Sequence, residues 1–134
     1  LLIASPKDAL KAYDLGLAGV VLSNHGGRQL DFARSGIEVL VEVVNQLGKR
    51  RGLKFPNEKF QLFVDGGVRR ATDVIKAVAL GATAVGIGRP FLYAHSAYGQ
   101  EGVEHALQVL RVSATSKSKY RYVIYDHLNR TNLK

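Results

Sequence analysis

The chain has 134 residues, 46% of them hydrophobic and 22% charged, a balance that suits one globular domain and argues against a disordered class. It contains no cysteine, which excludes a disulfide framework, thiolate chemistry and a cysteine-based zinc site, and its four histidines are too scattered to form a metal-ligand cluster by spacing. The net charge is +8, and half of that excess falls in residues 112–134, where five basic side chains meet one acidic one.

The amino-terminal run Leu1-Leu2-Ile3 has neither the charged flank nor the cleavage pattern of a signal peptide. No apolar stretch approaches the roughly 20 residues needed to span a bilayer, so a soluble chain is expected. Ser5-Pro6-Lys7-Asp8 predicts a helix start, with a capping serine and proline at the first helical position. Ala9, Leu10, Ala12 and Tyr13 supply its apolar face, and Gly16 closes it. Gly19-Val20-Val21-Leu22-Ser23 reads as a buried parallel strand that stops abruptly at Asn24-His25-Gly26-Gly27-Arg28. A second helix is expected from about Gly36 to Leu47, with Ile37, Leu40, Val41, Val44 and Leu47 at helical spacing. The basic run Lys49-Arg50-Arg51 before Gly52 reads as cations favoured at a helix carboxyl end.

Phe60 to Asp65 is the next predicted strand. Gly66-Gly67-Val68-Arg69-Arg70 turns it into a helix from Ala71 or Thr72 to Leu80, stopped by Gly81. Ala84 to Gly88 is a third strand. It runs into Arg89-Pro90 and a short helical turn through Phe91 to Ala94, and a last amphipathic helix spans about Glu101 to Arg111. This alternation implies parallel crossovers and an α/β sheet. Beyond Arg111 the chain is rich in Ser, Lys, Arg and Tyr. Basic residues among tyrosines can track a phosphate backbone, but no nucleic-acid motif accompanies them, so a solvated tail and no nucleic-acid partner are expected.

Three consecutive strands end in glycine-rich polar loops, and in parallel α/β folds functional groups collect at strand carboxyl ends. His25 brings the side chain whose ordinary pKa lies nearest neutrality, and Arg28 a permanently charged planar fork suited to a carboxylate. Taken alone, those two residues also fit an ordinary capped turn. Asp65-Gly66-Gly67-Val68-Arg69 and Gly86-Ile87-Gly88-Arg89-Pro90 follow neighbouring strands. Their glycines let backbone N–H groups approach an anion, and Arg69 and Arg89 can pair with its oxygens. Together the two loops predict a phosphate site.

The runs Ser23 to Asp31, Asp65 to Arg70 and Gly88-Arg89-Pro90-Phe91-Leu92-Tyr93 resemble those of the FMN-dependent 2-hydroxy-acid dehydrogenases and oxidases, in that family's order and spacing over residues 5–111. Asp31-Phe32 and Tyr98 to Glu104 are most similar to its fungal, cytochrome-linked lactate dehydrogenases. The resemblance implies the carboxyl-terminal portion, about three strand–helix units, of a (β/α)₈ barrel over residues 1–111, with residues 112–134 a divergent tail outside the domain. It implies FMN as cofactor, His25 as active-site base and Arg28 as the substrate-carboxylate ligand. Asp65, Gly66, Gly67, Val68, Arg69, Gly88 and Arg89 would hold the FMN phosphate and ribityl chain, and Ser23 would lie near the flavin.

The implied reaction is oxidation of an L-2-hydroxy acid, L-lactate favoured, with cytochrome c or dioxygen as acceptor. The implied whole enzyme is a homo-oligomer of the mitochondrial intermembrane space, the peroxisome or cytoplasm being alternatives. A complete barrel needs about 250 residues and eight strands. The family's lysine that steadies the flavin falls where this chain has Leu1-Leu2-Ile3, and the strands that bring a tyrosine to the substrate are not in it. The second expectation is therefore a non-catalytic piece that keeps only the phosphate-binding half barrel.

Overall fold

The computed structural model describes residues 2, 3 and 5–117. In chain order these form β1 (Leu2–Ile3), α1 (Pro6–Asp14), β2 (Gly19–Leu22), a 3₁₀ turn (His25–Gly27), α2 (Gly36–Arg51), β3 (Gln61–Asp65), α3 (Ala71–Ala79), β4 (Ala84–Gly86) and α4 (Arg89–Lys117). The four strands make one parallel sheet in the sequential order β1-β2-β3-β4, with Val21 beside Phe63 and Phe63 beside Ala84. The expectation of three strands is thus one short. A strand of two residues, Leu2–Ile3, pairs with Val21 and Leu22 and is too brief to carry a periodic signal.

Alternation along the strands divides the sheet into two faces. Val20, Leu22, Leu62 and Val64 are buried against Ala9 and Ala12 of α1, Val39, Leu40, Val43 and Leu47 of α2, and Ala77 of α3. Gln61, Phe63 and Asp65 point the other way and are half-buried. Phe60, fully buried just before β3, meets Tyr13 edge-on with ring centroids 5.4 Å apart, an arrangement worth about 0.5–1.5 kcal/mol beyond area burial.

The helix ends follow their local chemistry. The Ser5 hydroxyl accepts from the Asp8 amide at the start of α1, and Ser35 and Glu38 form a reciprocal capping box at the start of α2. Lys49, Arg50 and Arg51 form the last turn of α2, as cations favoured at a helix carboxyl end do, and Gly52 closes the helix at φ +68. Arg51 also grips the Asp14 carboxylate with two hydrogen bonds, fastening α2 to the end of α1. Val41 is exposed while Val39 and Val43 are buried, contrary to the predicted face. Because 37, 39, 40, 41, 43 and 44 are all apolar, periodicity alone does not select the stripe centred on Gly36, Leu40, Val43 and Leu47.

Gly36 lies where α2 meets the sheet. A Cβ there would stand 2.4 Å from the Leu22 carbonyl oxygen and 3.2 Å from that of Asp65. The two helices expected after Gly88 are both present and meet in α4 at a kink, Gly99, whose φ of 61° and ψ of −147° are non-helical; each runs past its expected end. The expected domain boundary at Arg111 falls within α4, and residues 118–134, most of the basic tail, lie outside the described residues. No described helix is long and apolar enough to cross a membrane.

Candidate active site

The loops after β2, β3 and β4 converge on one cleft of about 640 Å³ at the carboxyl ends of their strands. His25, Arg28, Asp65, Gly66, Gly67, Val68, Arg69, Gly88 and Arg89 all line it, joined by Ile87, Leu92 and Tyr93. Of the residues singled out in the sequence, only Ser23 does not. It is buried at the end of β2, where its hydroxyl accepts a hydrogen bond from the His25 amide at 3.0 Å.

The His25 loop is tightly wound. Asn24 Oδ1 accepts from the Gly27 amide at 3.1 Å, and His25, Gly26 and Gly27 take φ values of 57°, 64° and 78° in succession. A side-chain-bearing residue in the left-handed region costs about 1–2 kcal/mol, and histidine is among those found there more often than most. The Ser23 and Asn24 side chains hold that conformation from the strand end. His25 is left exposed on the cleft, with Arg28 one turn further on.

Asp65 closes β3 on the face away from the helices, and its Oδ1 is buried without a hydrogen-bond partner. Such an oxygen forfeits roughly 1–3 kcal/mol unless a donor reaches it. Gly66 and Gly67 follow at φ +87° and +76°. An added Cβ at Gly67 or Gly88 would meet nothing within 4 Å, so bare backbone borders the cleft at both. Gly88 has no left-handed φ either, so neither conformation nor packing within the chain calls for glycine there.

Two features escaped the sequence reading. Asp73, on the first turn of α3, accepts from the Arg69 amide at 3.1 Å and the Arg70 amide at 3.0 Å. Those N–H groups are therefore spent on the chain's own carboxylate, and an anion would meet the arginine side chains and glycine backbone instead. Capping by aspartate was signalled by its position three residues after Arg70. The second is a hydrogen bond from Arg89 Nη2 to the Gly26 carbonyl at 3.0 Å, which joins loops 63 residues apart and left no local signal.

The two amide hydrogen bonds hold the Asp73 carboxyl below the usual carboxylate range. A folded-state pKa lowered in this way stabilises the fold at pH values above the ordinary carboxylate range, and the gain is lost as pH falls through the lowered value. Asp73→Ala should cost about 1 kcal/mol at neutral pH, as loss of a helix cap does, and should flatten the acid side of the stability profile. Thermal unfolding of both proteins across pH checks this; parallel acid limbs would count against it.

An imidazole, three arginine side chains and the Asp65 carboxylate thus gather over the carboxyl ends of parallel strands. Residues 3–117 match the FMN-dependent dehydrogenase family, and the chain belongs to it. It is 60% identical over 105 residues to the L-lactate dehydrogenase (cytochrome) of Saccharomyces cerevisiae, covering 78% of this chain and 17% of that enzyme. A peroxisomal (S)-2-hydroxyacid oxidase of Arabidopsis thaliana is 48% identical over 109 residues, 81% of this chain and 28% of the oxidase. The recombinant flavin-binding domain of baker's yeast flavocytochrome b2 superposes with a TM-score of 0.78 at 55% identity, over 85% of this chain and 28% of that one. The chain thus spans under a third of the length of each of these relatives.

Proposed function

We propose that this chain is the carboxyl-terminal part of a (β/α)₈ FMN-dependent 2-hydroxy-acid dehydrogenase or oxidase, with L-lactate the favoured substrate. The observation that carries the reading is the meeting of His25 and Arg28 with the Asp65–Arg69 and Gly88-Arg89 loops around one cleft. A parallel sheet in sequential order, helices on one face and functional loops at the strand carboxyl ends, is what a run of barrel units presents. The cytochrome-linked and oxidase names of the relatives support cytochrome c or dioxygen as electron acceptor. The peroxisomal name supports that compartment beside the mitochondrial one.

The residues present fit FMN. Arg69 and Arg89 offer guanidinium donors for its phosphate, bare backbone at Gly67 and Gly88 allows close approach, and the unpartnered Asp65 Oδ1 suits a ribityl hydroxyl. Gly66 and Val68 complete that wall, and Ser23 acts from behind by fixing the His25 amide. Arg28 holds the substrate carboxylate in a bidentate grip and orients the hydroxyl-bearing carbon toward His25. His25 takes a proton from the 2-hydroxy acid as that carbon is oxidised. When bound, FMN supplies the two-electron sink. Residues 112–134 are proposed to lie outside the domain and to bind no nucleic acid.

The test is to substitute residues 3–117 for the matching segment of a complete family barrel and follow anaerobic flavin bleaching by L-lactate. Bleaching is expected, and none with any 2-hydroxy acid would sink the proposal. In the same chimera Arg28→Lys keeps the charge but loses the fork, so kcat/KM should fall by about tenfold or more, as loss of a charge-assisted hydrogen bond implies. An unchanged value would mean that the carboxylate is held elsewhere.

A second reading, a phosphate-binding piece without turnover, draws on the half-buried sheet face that carries Gln61, Phe63 and Asp65. In a closed barrel that face would be packed.

A further inference from the structure

We infer that Arg89 is a positioning residue for His25, coupling an anion in the phosphate cradle to the loop that carries the base. The inference rests on the function proposed above for the identity of that anion. Among the described residues, the bond from Arg89 Nη2 to the Gly26 carbonyl is the one hydrogen bond that ties residues 24–32 to the β4 side of the cleft. Ser23 and Asn24 secure the same loop, but both belong to its own strand end.

The contact is built on both sides. Gly26 has φ +64°, and a Cβ there would stand 2.8 Å from Arg89 Nη2, so the bare backbone leaves the guanidinium room where a side chain would make it shift. The bond falls on the residue next to His25, which itself holds a left-handed φ of 57° without being glycine. A conformation of that kind persists where its surroundings over-determine it. Arg89 supplies the constraint from across the cleft.

A guanidinium carries five N–H donors in one plane. One of them serves Gly26, and the side chain also lines the cleft beside Gly88 and Arg69. An anion engaging the remaining donors fixes the plane of the fork and thereby the donor on Gly26. Occupancy of the cradle then firms the turn that presents His25, and an empty cradle leaves it looser. Lysine cannot do both, because its ammonium is a point charge on a flexible stem.

Hydrogen exchange of the full chain, read by mass spectrometry on peptides covering residues 23–32, tests this, with peptides from α2 and β3 as controls. Without ligand, Arg89→Lys and Gly26→Ala should each speed exchange in the 23–32 peptide several-fold and leave the controls unchanged. FMN, or inorganic phosphate at high concentration, should slow that peptide in the parent and not in either variant. Gly26→Ala should retain FMN affinity within about threefold, read by flavin fluorescence quenching, because its arginine is intact. That result separates the latch from the anion grip.

Unchanged exchange in both variants without ligand would overturn the latch. Equal ligand protection in parent and Arg89→Lys would overturn the coupling. No binding of FMN or phosphate by the parent would overturn the cradle and the coupling together, while the ligand-free comparison would still decide the latch.

Discussion

Replacing His25 with asparagine in a complete barrel that carries residues 3–117 should lower turnover by roughly 10²–10⁴-fold, the usual loss when a general base is removed. Asparagine is the apt replacement because the backbone at this position is left-handed, at φ 57°, and asparagine tolerates that region as histidine does. Glutamine matches the imidazole better in length but adds backbone strain, so comparing the two separates loss of the base from distortion of the turn. FMN should stay bound in both, since the cradle is built from the β3 and β4 loops. Turnover within about threefold of the parent for the asparagine variant would remove His25 from the base role, because so small a loss is below what general-base catalysis contributes.

The 134-residue chain made alone should not oxidise 2-hydroxy acids, even with FMN in excess. The four strands leave the face that bears Gln61, Phe63 and Asp65 half-buried, and the described residues offer one side of a cleft rather than an enclosed chamber. Orientation of two reactants within near-attack distance supplies about 7–11 kcal/mol of a typical barrier reduction, and a ligand gripped at its phosphate alone retains rotation at its reacting end. Anaerobic mixing of chain, FMN and L-lactate should leave the oxidised flavin absorption intact. Bleaching that requires both the chain and His25 would show that these four strands suffice, and the non-catalytic reading would fall.

The loops that line the cleft were legible because their signals are local. Gly19-Val20-Val21-Leu22 reads as a buried strand, and an abrupt change to Asn24-His25-Gly26-Gly27-Arg28 marks the end that opens on the cleft. Asp65-Gly66-Gly67 and Gly88-Arg89-Pro90 repeat that grammar one strand at a time, so their convergence followed from parallel topology. What stayed hidden depends on distance in space. The Gly26 carbonyl and Arg89 are unremarkable in their own loops, and only folding brings them to 3.0 Å. Asp73 differs, since its bonds to the Arg69 and Arg70 amides are local and its place three residues after Arg70 signals them. The stripe of α2 was blurred for the opposite reason, an excess of apolar residues rather than a shortage of signal.

Gly36 sets a common level for the site. Its missing side chain lets α2 press against the last carbonyls of β2 and β3 at once, Leu22 and Asp65, the roots of the loops bearing His25 and the Asp65–Arg69 run. The helix therefore works as a gauge block between two loops of the cleft, fixing their relative height through close approach rather than through any bond. For anyone diversifying this scaffold, position 36 is closed, because even one added carbon would wedge the helix away from both strands. The exposed outer face of the same helix, at Asn45, is open to change.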